Sequence, residues 1–207
     1  MASRREFLQA GLASLALPIT ARAALSPEIF SFAGEPPSIP LYKVVFDESF
    51  AASRAFACEA KSLGATVHGI KGDITDLWFN DLYARWKQGP AAIAGLTAHG
   101  PLFCLERLAW DQRMRVVFRA EHSYRSDGHI EHALAIPASM ARRASELSGR
   151  GQDWPNWMAD IVTRCPEGLS PSQAQSSKTK IVAPLANSAD DAAEPLISWV
   201  IAPVVRA

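Results

Sequence analysis

The stretch YKVVFDESFAASRAFACEAKSLGATVHGI, residues 42–70, decides the fold. Tyr42 to Phe46 is a short, valine-rich apolar run that stops at Asp47. Residues 49–63 are helical in composition, with Phe50, Ala57, Ala60 and Leu63 on or near one face and Gly64 placed to end the helix. Ala65 to Ile70 reads as a second strand. The alternation continues outward. Asp73 predicts an N-cap before a helix over 74–87, in which Trp78, Leu82 and Trp86 recur at helical spacing before Gly89-Pro90 ends it. Ala92 to Leu96 is a third strand, Pro101 to Trp110 a third helix, and Arg115 to His122 a fourth strand. Apolar runs separated by helices predict the α/β class: a mainly parallel sheet with helices on both faces, in a Rossmann-like βαβαβαβ succession.

Past residue 122 the pattern changes. Arg125-Ser126-Asp127-Gly128 is a hairpin turn signal, so His129 to Ile136 is predicted to return antiparallel. Residues 138–148 and 153–164 read as helices, about 166–193 as a long polar loop, and Leu196 to Ile201 as a closing C-terminal strand. Trp154 and Trp157, flanking Pro155, read as a packing anchor in preference to a partner-binding platform. Residues 42–207 are thus predicted to form one domain.

Upstream, residues 24–41 carry Pro27, Pro36, Pro37 and Pro40 and predict an extended lead-in. Before it stands Ser3-Arg4-Arg5-Glu6-Phe7-Leu8, then an apolar stretch to about Ala21 and a small-residue exit, Ala21-Arg22-Ala23. The apolar stretch is shorter than the roughly 20 residues that span a bilayer, and no cysteine follows it. Through Arg4, Arg5, Phe7 and Leu8 this segment resembles a twin-arginine translocation (Tat) signal peptide. The resemblance covers residues 1–23 only. It implies cleavage after Ala23, the twin-arginine translocase as a partner, and a periplasmic chain without a stable membrane anchor. Such cargo folds before export, because it binds a cofactor in the cytoplasm, folds quickly, or leaves with a cofactor-bearing periplasmic enzyme partner.

Composition narrows the function classes. The chain of 207 residues has 21 basic and 21 acidic side chains. Removing residues 1–23 takes away Arg4, Arg5 and Arg22 against Glu6, which leaves a slightly acidic domain. Phosphate-backbone binding needs a concentrated basic surface, so nucleic acid is not an expected partner. Cys58, Cys104 and Cys165 include no C-x-x-C pair, which removes haem c, thioredoxin-like and cysteine-ligated iron–sulfur chemistry. Cys58 and Cys104 are expected to be packing residues.

No nucleophile motif or phosphate loop is present; Gly95 and Gly100 around a strand-to-helix turn are a weak anion signal. In open α/β sheets ligands bind beyond the carboxyl ends of the strands. This rule nominates Asp47, Asp73, Thr97, His99, Glu121 and His122. Asp47, His99 and His122 suit a divalent metal such as zinc, iron or copper; Asp73 with a histidine suits acid–base work; and the group as a whole suits a small polar ligand. Asp73 is equally explained by capping. A second metal candidate is His122, His129 and His132 across the hairpin, with Glu121 and Glu131 nearby, although His129 and His132 point to opposite faces of one strand. Two functions follow: a small-ligand binder or accessory subunit of an exported enzyme, and a metal- or cofactor-dependent hydrolase or oxidoreductase.

Overall fold

The apolar runs at the start of the domain pair as parallel strands. The computed structural model describes residues 37–185 and 194–205. The twin-arginine segment, most of the lead-in and residues 186–193 of the expected loop lie outside the described residues. Strand β1 (Lys43–Asp47) pairs with β2 (Val67–Ile70) on one side and β3 (Ile93–Thr97) on the other, with Val44 opposite both Val67 and Ala94. Helix α1 (Ala51–Ser62) makes the first crossover and buries Ala52, Phe56, Ala57 and Ala60. Gly64, at φ 91°, turns the chain out of it in a left-handed conformation that suits glycine. Leu63, expected on the buried face, is 44% exposed.

The second crossover is α2 (Thr75–Leu77), a π-helical turn over Trp78–Leu82, and α3 (Tyr83–Lys87). The π turn has a packing reason. Leu77 and Leu82 are both fully buried yet five residues apart, a spacing that only an i→i+5 turn aligns on one face. Asp73 accepts the Thr75 backbone N–H at 2.9 Å and so performs the expected capping, one residue outside the Ile74 N-cap position.

Helix α4 (His99–Asp111) leads to β4 (Met114–Tyr124), and the turn at 125–128 returns the chain as β5 (His129–Ile136), as the Asp-Gly signal predicts. Short helical turns, α5 (Ala141–Ser145) and α6 (Trp154–Thr163) follow, then β6 (Ser177–Pro184) and β7 (Leu196–Pro203). Among the described residues the strands form one sheet in the order β2-β1-β3-β7-β4-β5-β6.

The class is α/β, as predicted, but the sheet is only partly parallel. β7 enters between β3 and β4 and runs antiparallel to both. β4 keeps the direction of β3 without touching it, so the expected fourth parallel neighbour is replaced. The reason is burial: Leu196 to Ala202 are all buried, a run fit only for a central strand. A second correction concerns the polar loop, where Ser177–Pro184 pairs with β5 along its full length as an edge strand. Lys178 and Lys180 on that edge discourage further strand addition.

Alternate residues of the central strands build two apolar cores. Val44, Leu96, Phe118 and Val200 pack with Phe56 of α1 and Trp154, Met158 and Val162 of α6. Val45, Ile93, Trp199 and Ile201 pack with Leu82, Trp86, Leu102 and Leu105. β5 instead alternates buried and half-buried residues, the mark of a strand covered on one face. Cys58 and Cys104, expected in the core, lie exposed on their helices, because Phe56, Ala57 and Ala60 in α1 and Leu102 and Leu105 in α4 occupy the inward positions. Cys165 is the buried thiol, and burial raises its pKa to about 12.

Candidate functional site

Of the six nominated polar residues, Asp47, Asp73, Thr97 and His122 are hydrogen-bonded into the fold. Asp47 and Thr97 close neighbouring strands at the same level, since Phe46 pairs with Leu96. Asp47 is buried; its carboxylate accepts the Ser49 N–H at 2.9 Å, and its own N–H donates to Ser53 Oγ at 2.8 Å. Thr97 Oγ1 accepts the indole N–H of Trp199 at 3.1 Å and donates to the Ala98 carbonyl at 3.0 Å. Gly95 makes room for that indole: a β-carbon there would lie 2.6 Å from the Trp199 ring and against the Val45 carbonyl. It is thus a packing glycine and not part of an anion loop.

His99 lies exposed on the first turn of α4, its ring stacked on Phe103 at 6.1 Å. Asp73 is exposed beside a small cleft of about 290 Å³ that also takes in Glu48, His68, Lys71 and Asp76. Hydrogen bonds from Thr75 hold the Asp73 carboxyl below the usual carboxylate range, and burial, reinforced by Lys43, lowers His68.

His122 is on the other side of the sheet. Strand alternation places it with Phe118 and Ala120 in the α6 core, whereas Thr97 shares its face with Ile93. The structure therefore does not bring Asp47, His99 and His122 together. His122 instead faces His132 across the hairpin, with Nδ1 to Nδ1 at 2.7 Å and its Nε2 2.8 Å from Ser198 Oγ. Trp154 covers both rings, 4.2 Å and 5.5 Å away. His132 Nε2 is buried without a hydrogen-bond partner. An orphan buried N–H donor is rarer than an underused acceptor, so the proton sits on His132 Nδ1 and is donated to His122 Nδ1. His122 then donates from Nε2 to Ser198. Burial pushes both imidazoles down, His132 to about 4 and His122 well below its ordinary value, with help from its neighbour.

This pair is a poor metal site. Two nitrogens on one tetrahedral ion, each about 2.0–2.1 Å from it, stand about 3.3 Å apart, and these are closer. His129 lies at the exposed turn beside Asp127, and Glu121 on the opposite face of β4. Among the described residues no group of three His, Cys, Asp or Glu side chains is arranged to hold a metal.

The sequence reading missed a groove at the other end of the sheet, where β4 begins and β7 ends. It measures about 710 Å³ and is walled by Glu106 and Trp110 of α4, Arg113, Arg115 and Val116 around the start of β4, Pro171, Ala174 and Gln175, and Val204. Its volume is in the range of small-molecule sites. Among the described residues, Arg113 at φ 57° and Gln175 at φ 51° are the two non-glycine residues in the left-handed region, and both line this groove. Arg113 ends α4 by donating its N–H to the Trp110 carbonyl at 3.0 Å, at a position where glycine is usual. A side chain held there costs about 1–2 kcal/mol.

Gln175 fastens the opposite wall. β4 carries a bulge at Val116–Phe118, which leaves Val117 out of the ladder with β7. The Gln175 N–H donates to the Val117 carbonyl at 3.2 Å and its side-chain amide to the Val116 carbonyl at 2.6 Å. Trp110 is 42% exposed, with the Arg107 guanidinium 4.3 Å and that of Arg115 5.7 Å from its ring. Among the described residues none of Arg107, Arg113 and Arg115 makes a carboxylate pair. The signal in the sequence was a helix that must end between Trp110 and Arg115 without a glycine or asparagine to end it.

A scan against protein-family models finds no match, and neither a curated protein nor a solved structure matches this chain.

Proposed function

We propose that this chain is exported by the twin-arginine pathway and serves in the periplasm as a small-ligand binder. The export half rests on Arg4, Arg5, Phe7, Leu8 and the Ala21-Arg22-Ala23 exit. Among the described residues no helix is long and apolar enough to cross a membrane. The binding half rests on one observation. Two backbone residues are held in an unfavourable left-handed conformation around a single groove, while the polar strand-end residues are bonded into the fold. Strain of this kind concentrates where a ligand is held. The β2-β1-β3 unit with its crossover helices is a Rossmann-like half-sheet on this reading, used as a scaffold and not as the site.

Native mass spectrometry of the protein isolated from its own periplasm tests both halves. A mature chain beginning at Ala24, carrying a small molecule that is released on denaturation, is the expected result. Replacing Arg4 and Arg5 by lysine should leave the full-length chain in the cytoplasm. An uncleaved chain, or export that survives the double lysine variant, contradicts the export reading.

An accessory-subunit role is the second reading, favoured by Phe79 and Phe103, which are 68% and 52% exposed. A copurifying protein would be its mark. The metal-dependent enzyme reading draws less support, since of its donors Asp47, His99 and His122 the first and last already have structural partners and lie on opposite faces of the sheet.

A further inference from the structure

We propose that the groove between α4 and the 171–175 segment takes a monocarboxylate carrying a flat aromatic body. The inference rests on the ligand-binder reading and adds the chemical class. Arg113 and Arg115 stand on one wall, and their forked N–H donors match a carboxylate. Arg115 uses one of its donors on the Met114 carbonyl, at 2.8 Å, and keeps the rest. Trp110 lines the same groove and is 42% exposed, with the Arg107 and Arg115 guanidinium groups 4.3 Å and 5.7 Å from its ring, and its exposed part offers a planar ring an aromatic contact. Val116, Pro171 and Val204 supply an apolar floor.

Glu106 narrows the choice. Its carboxylate lines the same groove and opposes the two arginines, leaving one formal positive charge on the walls. That charge balances a single carboxylate. A phosphate, which carries close to two negative charges at neutral pH, exceeds that balance and would meet repulsion from Glu106.

Arg113 makes the proposal separable from a structural role. A left-handed C-terminal helix position is eased by glycine. If Arg113 serves only the fold, Arg113→Gly leaves binding alone. If it serves a ligand, the same change raises the melting temperature by a few degrees and weakens the ligand.

The experiment is calorimetric titration of the mature protein with indole-3-acetate, indole-3-acetamide and inorganic phosphate, repeated on Arg113→Gly, Arg115→Leu and Trp110→Ala. The expected result is that the carboxylate binds at least tenfold more tightly than the isosteric amide, and phosphate at least tenfold more weakly. Each arginine variant should lose at least tenfold for the carboxylate, and Trp110→Ala should weaken acid and amide alike. Equal binding of acid and amide, stronger binding of phosphate, or unchanged affinity in both arginine variants overturns the carboxylate assignment. If no probe binds while periplasm-derived protein carries another small molecule, this inference fails and the binder reading stands. If no probe binds and that protein carries none, both fall.

Discussion

The two ends of the sheet are made from similar residue types and arranged in opposite ways. Where β1, β3 and β4 finish, Asp47, Thr97 and His122 are each buried and hydrogen-bonded, and none of them has a left-handed backbone. Where β4 starts, Arg113 and Arg115 have no carboxylate partner and two left-handed residues frame a groove. Polarity alone therefore does not mark a site. What distinguishes the second end is unused hydrogen-bonding capacity beside backbone that the fold keeps under strain. Substitutions at the strand ends should thus lower stability without changing binding, and substitutions at the groove should weaken binding without lowering stability.

The largest effect is expected at Gly95. A methyl group there has no space between Val45 and the Trp199 ring, and because both neighbours belong to the sheet core, Gly95→Ala should destabilise by about 3 kcal/mol. Urea unfolding measures it, and a near-neutral result would mean that the Trp199 placement is wrong. A similar loss should come from acid. His122 and His132 have folded-state pKa values below the unfolded value of about 6.5, so the unfolded chain binds more protons. The stability they permit is complete above about pH 6.5 and falls as pH drops toward about 4. His132 alone, lowered to about 4, accounts for about 3 kcal/mol of that fall. Urea midpoints at pH 7.5, 6.0 and 4.5 should decline in step, and a flat profile contradicts the neutral buried pair.

Thr97→Val is the smaller test. It leaves the buried Trp199 N–H without its acceptor, a loss of about 2 kcal/mol. The same variant should bind indole-3-acetate as the parent does. A variant that kept its stability but lost the ligand would move the site back to the strand ends.

Much of the fold was legible because its signals are local. The apolar run at 42–46, the helix ending at Gly64 and the Asp127-Gly128 turn each specify their own element, and the observed bounds follow within a residue or two. The misplaced parts depend on distant pairing. Ser177–Pro184 was hidden because only Ala183 of that strand is buried, so no alternation of apolar residues appears. The apolar run of β7 marks a central strand, but its place between β3 and β4 depends on pairing with segments far away in the chain, such as Thr97 with Ile197 and His122 with Leu196, which no local signal specifies. The strand-end residues were correctly placed along the sheet, yet their side chains were already bonded to Ser49, Trp199 and Ser198, which spacing cannot reveal. The groove draws on α4, β4, the 171–175 segment and Val204, and its one local clue was the missing glycine at Arg113.

Amide hydrogen exchange of the mature protein with and without indole-3-acetate tests the contrast between the two ends most directly. The account predicts ligand-dependent protection across residues 110–117 and 171–176, with residues 47–51 and 97–101 unchanged. Protection confined to residues 47–51 and 97–101 would contradict it and return the site to the carboxyl ends of the parallel strands.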